Sequence, residues 1–308
     1  MDGNIRMKNK LPNLIIGGCH KAGTTSLFNY LKDHPEISFG DRKEIHYFTP
    51  LRYGREIKEL IVYENHFKNS TKESKYLLDA SPSYLYGEDR IISKIFEILD
   101  DPELIFILRN PTQRFISYVK KRITEGTLSP NLDLLKFVND SFKLSSDRDI
   151  DLPVNRAFRE GCYDRYLQYW ECNSENVNIL FFENLVSNPQ NLLKELCVNI
   201  NISGEFYENY KFDVSNKFRP VRNINFHKQA IKINKYLEKF LMKNRELKKL
   251  INKVYFSLNK RKNEYSFKNY DEAVKLLDNL YSNENKLLKE RLIKFKSVGA
   301  FPEWILKL

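Results

Sequence analysis

Cysteine is scarce in this chain: four among 308 residues, at Cys19, Cys162, Cys172 and Cys197, with no C-x-x-C pair. That scatter argues against a disulfide framework and suits reduced thiols. Histidine is equally thin, and His20, His34, His46, His66 and His227 do not pair at metal-ligand spacing, so no metal site is predicted. RNA-binding, zinc-finger and basic-zipper patterns are missing, which predicts no nucleic-acid partner. No apolar run approaches the ~20 residues that span a bilayer. Residues 1–10 are polar throughout and hold no apolar secretion core, so the expected location is the cytoplasm.

What the chain has is charge of one sign and ample core material. Its formal net charge is +11, with 42% hydrophobic and 13% aromatic residues. A basic balance favours anionic partners, whether nucleotide, acidic glycan, nucleic acid or anionic lipid, without choosing among them. The length suits one large α/β domain or two small ones.

The organising stretch is Leu14-Ile-Ile-Gly-Gly-Cys-His-Lys-Ala-Gly-Thr-Thr-Ser26. A short apolar run bounded by glycine, then helical spacing through Leu27, Phe28 and Leu31, reads as a buried strand turning into a helix. Glycines let the backbone approach an anion, and the N–H groups of a helix's first turn point at it. Four residues separate Gly18 from Gly23, as in an ATPase phosphate loop, but Thr24 and Thr25 stand where Lys-Ser/Thr would follow. The lysine is inside the loop, at Lys21. It is aimed at a 5′-phosphate and whatever group that phosphate carries. A structural glycine turn before a helix is the alternative reading of this stretch alone.

Three further strands are predicted, at Tyr76-Leu-Leu-Asp79, Leu104-Ile-Phe-Ile-Leu108 and Val177-Asn-Ile-Leu-Phe-Phe182. The second of these leaves Arg109 at its carboxyl end, where open α/β sheets bind ligands, and Pro111 opens a helix carrying Ser117. Between the first apolar strand and Tyr76, Ile37 to Phe48 reads as a polar loop closing in an extended segment. Alternation there puts Glu44 and His46 on one side, Ile45 and Tyr47 on the other. Residues 129–170 read as helical with a polar break at 147–153, and Gly161 to Trp170 as one amphipathic helix. Glu183-Asn-Leu and a helix at 189–200 follow. Residues 213–228 form a polar basic loop and 230–262 a lysine-rich amphipathic stretch, with terminal helices to Trp304. No linker interrupts the alternation, so one domain spans 1–308, with a core at about 11–227 and C-terminal helices at about 228–308.

Lys21-Ala-Gly-Thr-Thr-Ser26 after an apolar strand resembles the 5′-phosphosulfate loop of sulfotransferases, which use 3′-phosphoadenosine 5′-phosphosulfate (PAPS) as sulfuryl donor. Arg109-Asn-Pro111 with Ser117 resembles the family's 3′-phosphate site. Glu44-Ile-His46-Tyr-Phe48 is similar to the catalytic-base segment of the heparan-sulfate-type and bacterial branch. The resemblance implies a P-loop-like open parallel sheet flanked by helices with a helical C-terminal part. It also implies a PAPS site of Lys21, Ala22, Gly23, Thr24, Thr25, Ser26, Arg109 and Ser117, covered by Lys217, Phe218, Arg219 and Arg222. Glu44 falls on the general-base position, Lys21 beside the leaving phosphate, and His46 where it orients Glu44 or the acceptor. No metal is required. The implied acceptor is a saccharide or glycolipid, with a peripheral membrane contact open to the basic C-terminal helices.

The family's Ser/Thr-Pro-x-Tyr turn is present as Ser81-Pro-Ser-Tyr84, but Ala80 replaces the lysine common in glycosaminoglycan enzymes. That points away from heparan itself. Rival readings are a small-molecule kinase of P-loop fold, opposed by the missing Gly-Lys-Ser/Thr, and a non-catalytic glycan- or nucleotide-binding protein, opposed by Glu44. Within the family, the rival is a phenol- or steroid-type sulfotransferase.

Overall fold

The apolar runs that read as strands do pair. The computed structural model describes residues 11–70, 74–146, 152–213 and 265–307, with scattered positions between 223 and 259. Among the described residues six strands form one parallel sheet: β1 (Leu14–Gly18), β2 (Ile37–Phe39), β3 (Tyr76–Ala80), β4 (Glu103–Leu108), β5 (Val177–Phe181) and β6 (Lys296–Ser297). Their order is β2-β3-β1-β4-β5-β6. Parallel pairs need crossover connections, which cover both faces of the central strands and explain why those strands are apolar without alternation. Leu14, Ile15, Ile16, Ile105, Phe106, Ile107, Leu180 and Phe181 accordingly have no exposed surface. The strand order turns round at β1, so the carboxyl ends beside β1 form the crevice where an open sheet takes its ligand.

The connections between the first five strands carry α1 (Thr24–Lys32), α2 (Leu60–Asn65), α3 (Glu88–Ile98) and α4 (Pro111–Thr124). Helix α1 stops one residue before His34-Pro35, where the proline forbids continuation. Strands β2 and β6 were not predicted, since runs of three and two residues carry no period. The predicted helix from Gly161 to Trp170 is instead a short helix at Tyr163–Leu167 followed by 3-10 turns at Gln168–Asn176. Gly161 lies against Tyr281, whose hydroxyl would be 2.5 Å from an added Cβ, so the chain there is packed at close quarters and the helix begins beyond it.

The described residues fall into two compact units. One comprises Met1–Arg114, Glu160–Asn216 and Leu280–Leu308 and holds the whole sheet. The other comprises Phe115–Arg159 and Lys217–Asn279. Its helix Leu134–Lys143 is capped by the Asp133 carboxylate, which accepts from the Lys136 N–H at 3.1 Å. A 23-residue helix, Tyr270–Leu292, supplies the helical C-terminal part. Among the described residues no helix is long and apolar enough to cross a membrane.

Candidate active site

The phosphate loop forms where β1 gives out. Gly17 and Gly18 have no room for a side chain: a Cβ on Gly18 would be 2.6 Å from the Leu85 Cβ. The chain then turns back through Lys21, at φ 71°, and Gly23, at φ 87°. Gly23 is the N-cap of α1 and has no side chain to bond the first-turn N–H groups, nor is any acid present in that turn. Such an end is open to an outside anion. Lys21 is half-buried beside it, and Thr25 and Ser26 are partly exposed in the first turn.

Arg109, at the end of β4, reaches the same loop. Its Nη1 donates to the Lys21 carbonyl at 3.1 Å, and the guanidinium lies 4.4 Å from the centre of the Phe182 ring. The Arg109 carbonyl accepts from the Tyr163 hydroxyl at 2.8 Å, and the next N–H, of Asn110, donates to Glu183 at 2.9 Å. Burial lowers the Arg109 pKa, partly offset by Tyr163 and Glu183, but a guanidinium stays charged in either case. Two cationic residues therefore border one helix start.

Glu44 and His46 hang from the neighbouring strand. In the sheet Ala80 pairs with Ile16, the Ser81 N–H donates to the Ile16 carbonyl at 3.0 Å, and the Glu44 N–H donates to the Ala80 carbonyl at 3.0 Å. The His46 N–H donates to Ser81 Oγ at 2.9 Å. Ser81 Oγ in turn bonds Asp79, a buried carboxyl that also accepts from Tyr63 and Tyr84 at 2.8 and 2.9 Å. The expected extended segment is not there: Glu44 and His46 are left-handed, with φ of 62° and 57°. Burial still alternates, Ile45 and Tyr47 in and Glu44 and His46 out, and the pair does share a side. Glu44 Oε2 is 3.7 Å from His46 Nε2, and Glu44 Oε1 is 2.6 Å from Lys43 Nζ. His46 Nδ1 is 3.0 Å from Ser83 Oγ. The neighbouring His46 imidazole, opposed by partial burial and helped by Lys43, holds the Glu44 carboxyl well below the usual carboxylate range. It is ionised at neutral pH.

Cys19 is a packing residue. Fully buried, it donates to the Tyr163 hydroxyl at 3.6 Å, and burial pushes its thiol up to about 11. All four cysteines are free thiols. Among the described residues no cluster of three His, Cys, Asp or Glu could hold a metal. Ser117, half-buried on α4, belongs to the second unit. Lys217, Phe218, Arg219 and Arg222 lie outside the described residues. What the sequence did not reveal is a buried carboxylate, Glu160, bonded to His20 of the phosphate loop.

No protein-family model matches the chain. It is 36% identical over 109 residues to the membrane-associated sulfotransferase kil1 of Dictyostelium discoideum, covering 35% of this chain and 22% of that one. It is 27% identical over 189 residues to heparan sulfate glucosamine 3-O-sulfotransferase 3A1 of Mus musculus, covering 61% and 45%. A solved sulfotransferase from Alicyclobacillus acidocaldarius superposes with a TM-score of 0.56 at 22% identity, over 68% of this chain and 87% of that one. The chain has the fold of that solved sulfotransferase and is similar in sequence to parts of these curated sulfotransferases. It spans less than half the length of these two curated relatives. Within this sulfotransferase fold, the phosphate loop and the Glu44–His46 segment hang from paired strands, β1 and β3.

Proposed function

We propose that the chain transfers the sulfuryl group of PAPS to a hydroxyl or amine of a saccharide or glycolipid. One observation carries this: a cationic, uncapped helix start follows β1, and the backbone of an ionised carboxylate, Glu44, is bonded to the carboxyl end of the adjacent parallel strand β3. The names of the relatives, sulfotransferases acting on heparan sulfate glucosamine among them, support a saccharide acceptor.

The residues present fit the donor. Gly23, at φ 87°, lets the chain turn into α1, the loop and the first turn of that helix offer N–H groups at Ala22 to Ser26, and Lys21 and Arg109 supply charge. Bound there, PAPS supplies an activated sulfuryl group with a bisphosphate leaving group. Lys21 stabilises the charge that grows on the departing oxygen, and the helix start holds the 5′-phosphate. Arg109 reads the 3′-phosphate. Glu44 takes the acceptor's proton, and His46, braced by Ser83, fixes the rotamer of Glu44. Positioning and fixed cations do for sulfuryl transfer what they do for phosphoryl transfer.

Two measurements test the proposal. Calorimetric titration with 3′-phosphoadenosine 5′-phosphate (PAP), ATP and ADP should give binding strongly in favour of PAP; preference for ATP would return the kinase reading. Labelled PAPS with saccharide, phenol and steroid acceptors should label saccharides, with Glu44→Gln keeping PAP affinity and losing transfer by about 10²–10⁴-fold. Phenol or steroid labelling undiminished in that variant would make this a small-molecule enzyme with another base.

A further inference from the structure

The phosphate loop and the acceptor-side turn are tied to the same two buried side chains. Glu160 has a side chain 1% exposed, 140 residues from the loop in sequence. Its Oε2 is 3.1 Å from His20 Nδ1, the residue before Lys21. Its Oε1 accepts both Nη1 and Nη2 of Arg52, each at 3.1 Å. Arg52 is in the turn Thr49–Tyr53 that follows the Glu44–Phe48 segment. Arg114, wholly buried, stands 3.9 Å from the same carboxylate. Tyr86 makes a second bridge. Its hydroxyl accepts the His20 N–H at 3.1 Å, its ring is 5.2 Å from the His20 ring, and the Arg52 guanidinium lies 5.1 Å from its centre.

A carboxylate this deep is costly unless paired, and once paired it resists displacement of any partner. Burial raises the carboxyl's pKa, but His20, Arg52 and Arg114 outweigh it and hold the group ionised. His20 and Arg52 thus share one buried partner, and the turn that holds Arg52 continues the segment carrying Glu44 and His46.

We propose that Glu160 is a positioning residue that couples the donor loop to the acceptor-side turn through His20 and Arg52. Through it, filling of the phosphate loop orders residues 46–54 and sets the spacing between Lys21 and Glu44. This coupling rests on the PAPS-binding reading of the loop and adds to it a route by which donor binding prepares the acceptor side.

The test is amide hydrogen exchange with and without PAP, on the full chain. In the wild-type protein PAP should slow exchange in residues 17–26, by contact, and in residues 46–54, by coupling. Glu160→Gln keeps the shape and removes the charge; it should retain protection of 17–26 and lose that of 46–54. His20→Ala cuts the link on the donor side while leaving the Glu160–Arg52 pair, so it should uncouple the two segments even if Glu160→Gln folds poorly. With PAPS and an acceptor, both variants should lose kcat about 10²-fold with KM for PAPS changed less than about threefold, the signature of lost alignment rather than lost binding. Protection of 46–54 that persists in both variants overturns the proposal. So does protection of 17–26 and 46–54 falling together with PAP affinity, since that is a purely structural role. If PAP fails to protect 17–26 in the wild-type protein, the donor-site reading itself fails, a result separable from loss of coupling.

Discussion

Replacing Arg109 with alanine removes two contacts of different kinds, and two ligands separate them. The guanidinium bonds the Lys21 carbonyl at 3.1 Å and stacks at 4.4 Å on Phe182, the ring that would lie 2.8 Å from a Cβ on Gly23. Losing that anchor loosens the loop for every ligand, at a cost of about 0.5–1.5 kcal/mol for an ordinary hydrogen bond, or ~2–12-fold in affinity. The proposed bond to a 3′-phosphate is charge-assisted and worth ~1.5–3 kcal/mol, or ~10–150-fold. PAP carries that phosphate and adenosine 5′-phosphosulfate does not. Calorimetry on Arg109→Ala should therefore show both ligands weakened by the smaller factor and PAP alone by the larger. Equal losses for the two would refute Arg109 as the 3′-phosphate reader and leave it as a brace of the loop.

Lys21→Ala should lower turnover by about 10²–10³-fold while PAP still binds, because its role is at the departing oxygen; binding that collapses with turnover intact would make it only an anchor. At position 44, glycine and alanine both remove the carboxylate, but only glycine is at ease at φ 62°, so Glu44→Gly should be more stable than Glu44→Ala by ~1–2 kcal/mol in denaturant titrations. Equal stability would mean that the left-handed turn carries no strain. Glu160 has a depressed pKa when folded, so its charge contributes stability that is present above the unfolded value of about 4.3 and lost as the pH falls through the folded value. The stability gap between wild type and Glu160→Gln should be widest at pH 7 and narrower at pH 3; a gap constant with pH would show that the charge is not what matters.

The parts of this molecule legible in the sequence are those whose physics is local. β1, β4 and β5 are apolar runs long enough to show as buried strands, and Gly17 to Ser26 carries its turn and helix start in residue type alone. Arg109 followed from the end of β4. Glu44 and His46 were paired correctly for the wrong reason: an alternation of left-handed residues gives the same in-out burial as an extended strand, and nothing in Glu or His announces a positive φ. His20 and Glu160 could not be joined by any pattern, because their contact closes 140 residues of chain.

Lys21, Glu44 and His46, the three residues given chemical roles, all have left-handed backbones, a conformation that costs a non-glycine residue about 1–3 kcal/mol and persists only where the surroundings over-determine it. In each case an anchor sits on the backbone itself. The Lys21 carbonyl is held by Arg109, the Glu44 N–H by the Ala80 carbonyl, and the His46 N–H by Ser81 Oγ. Two of these anchors belong to the end of β3 and one to the end of β4, the two strands that flank β1. The sheet thus sets the direction of each side chain by pinning the peptide next to it. A side chain aimed only by contacts of its reactive group loses its aim when it exchanges them for a substrate. One aimed through its backbone keeps its direction during that exchange, and that is the arrangement a transfer between two bound molecules requires.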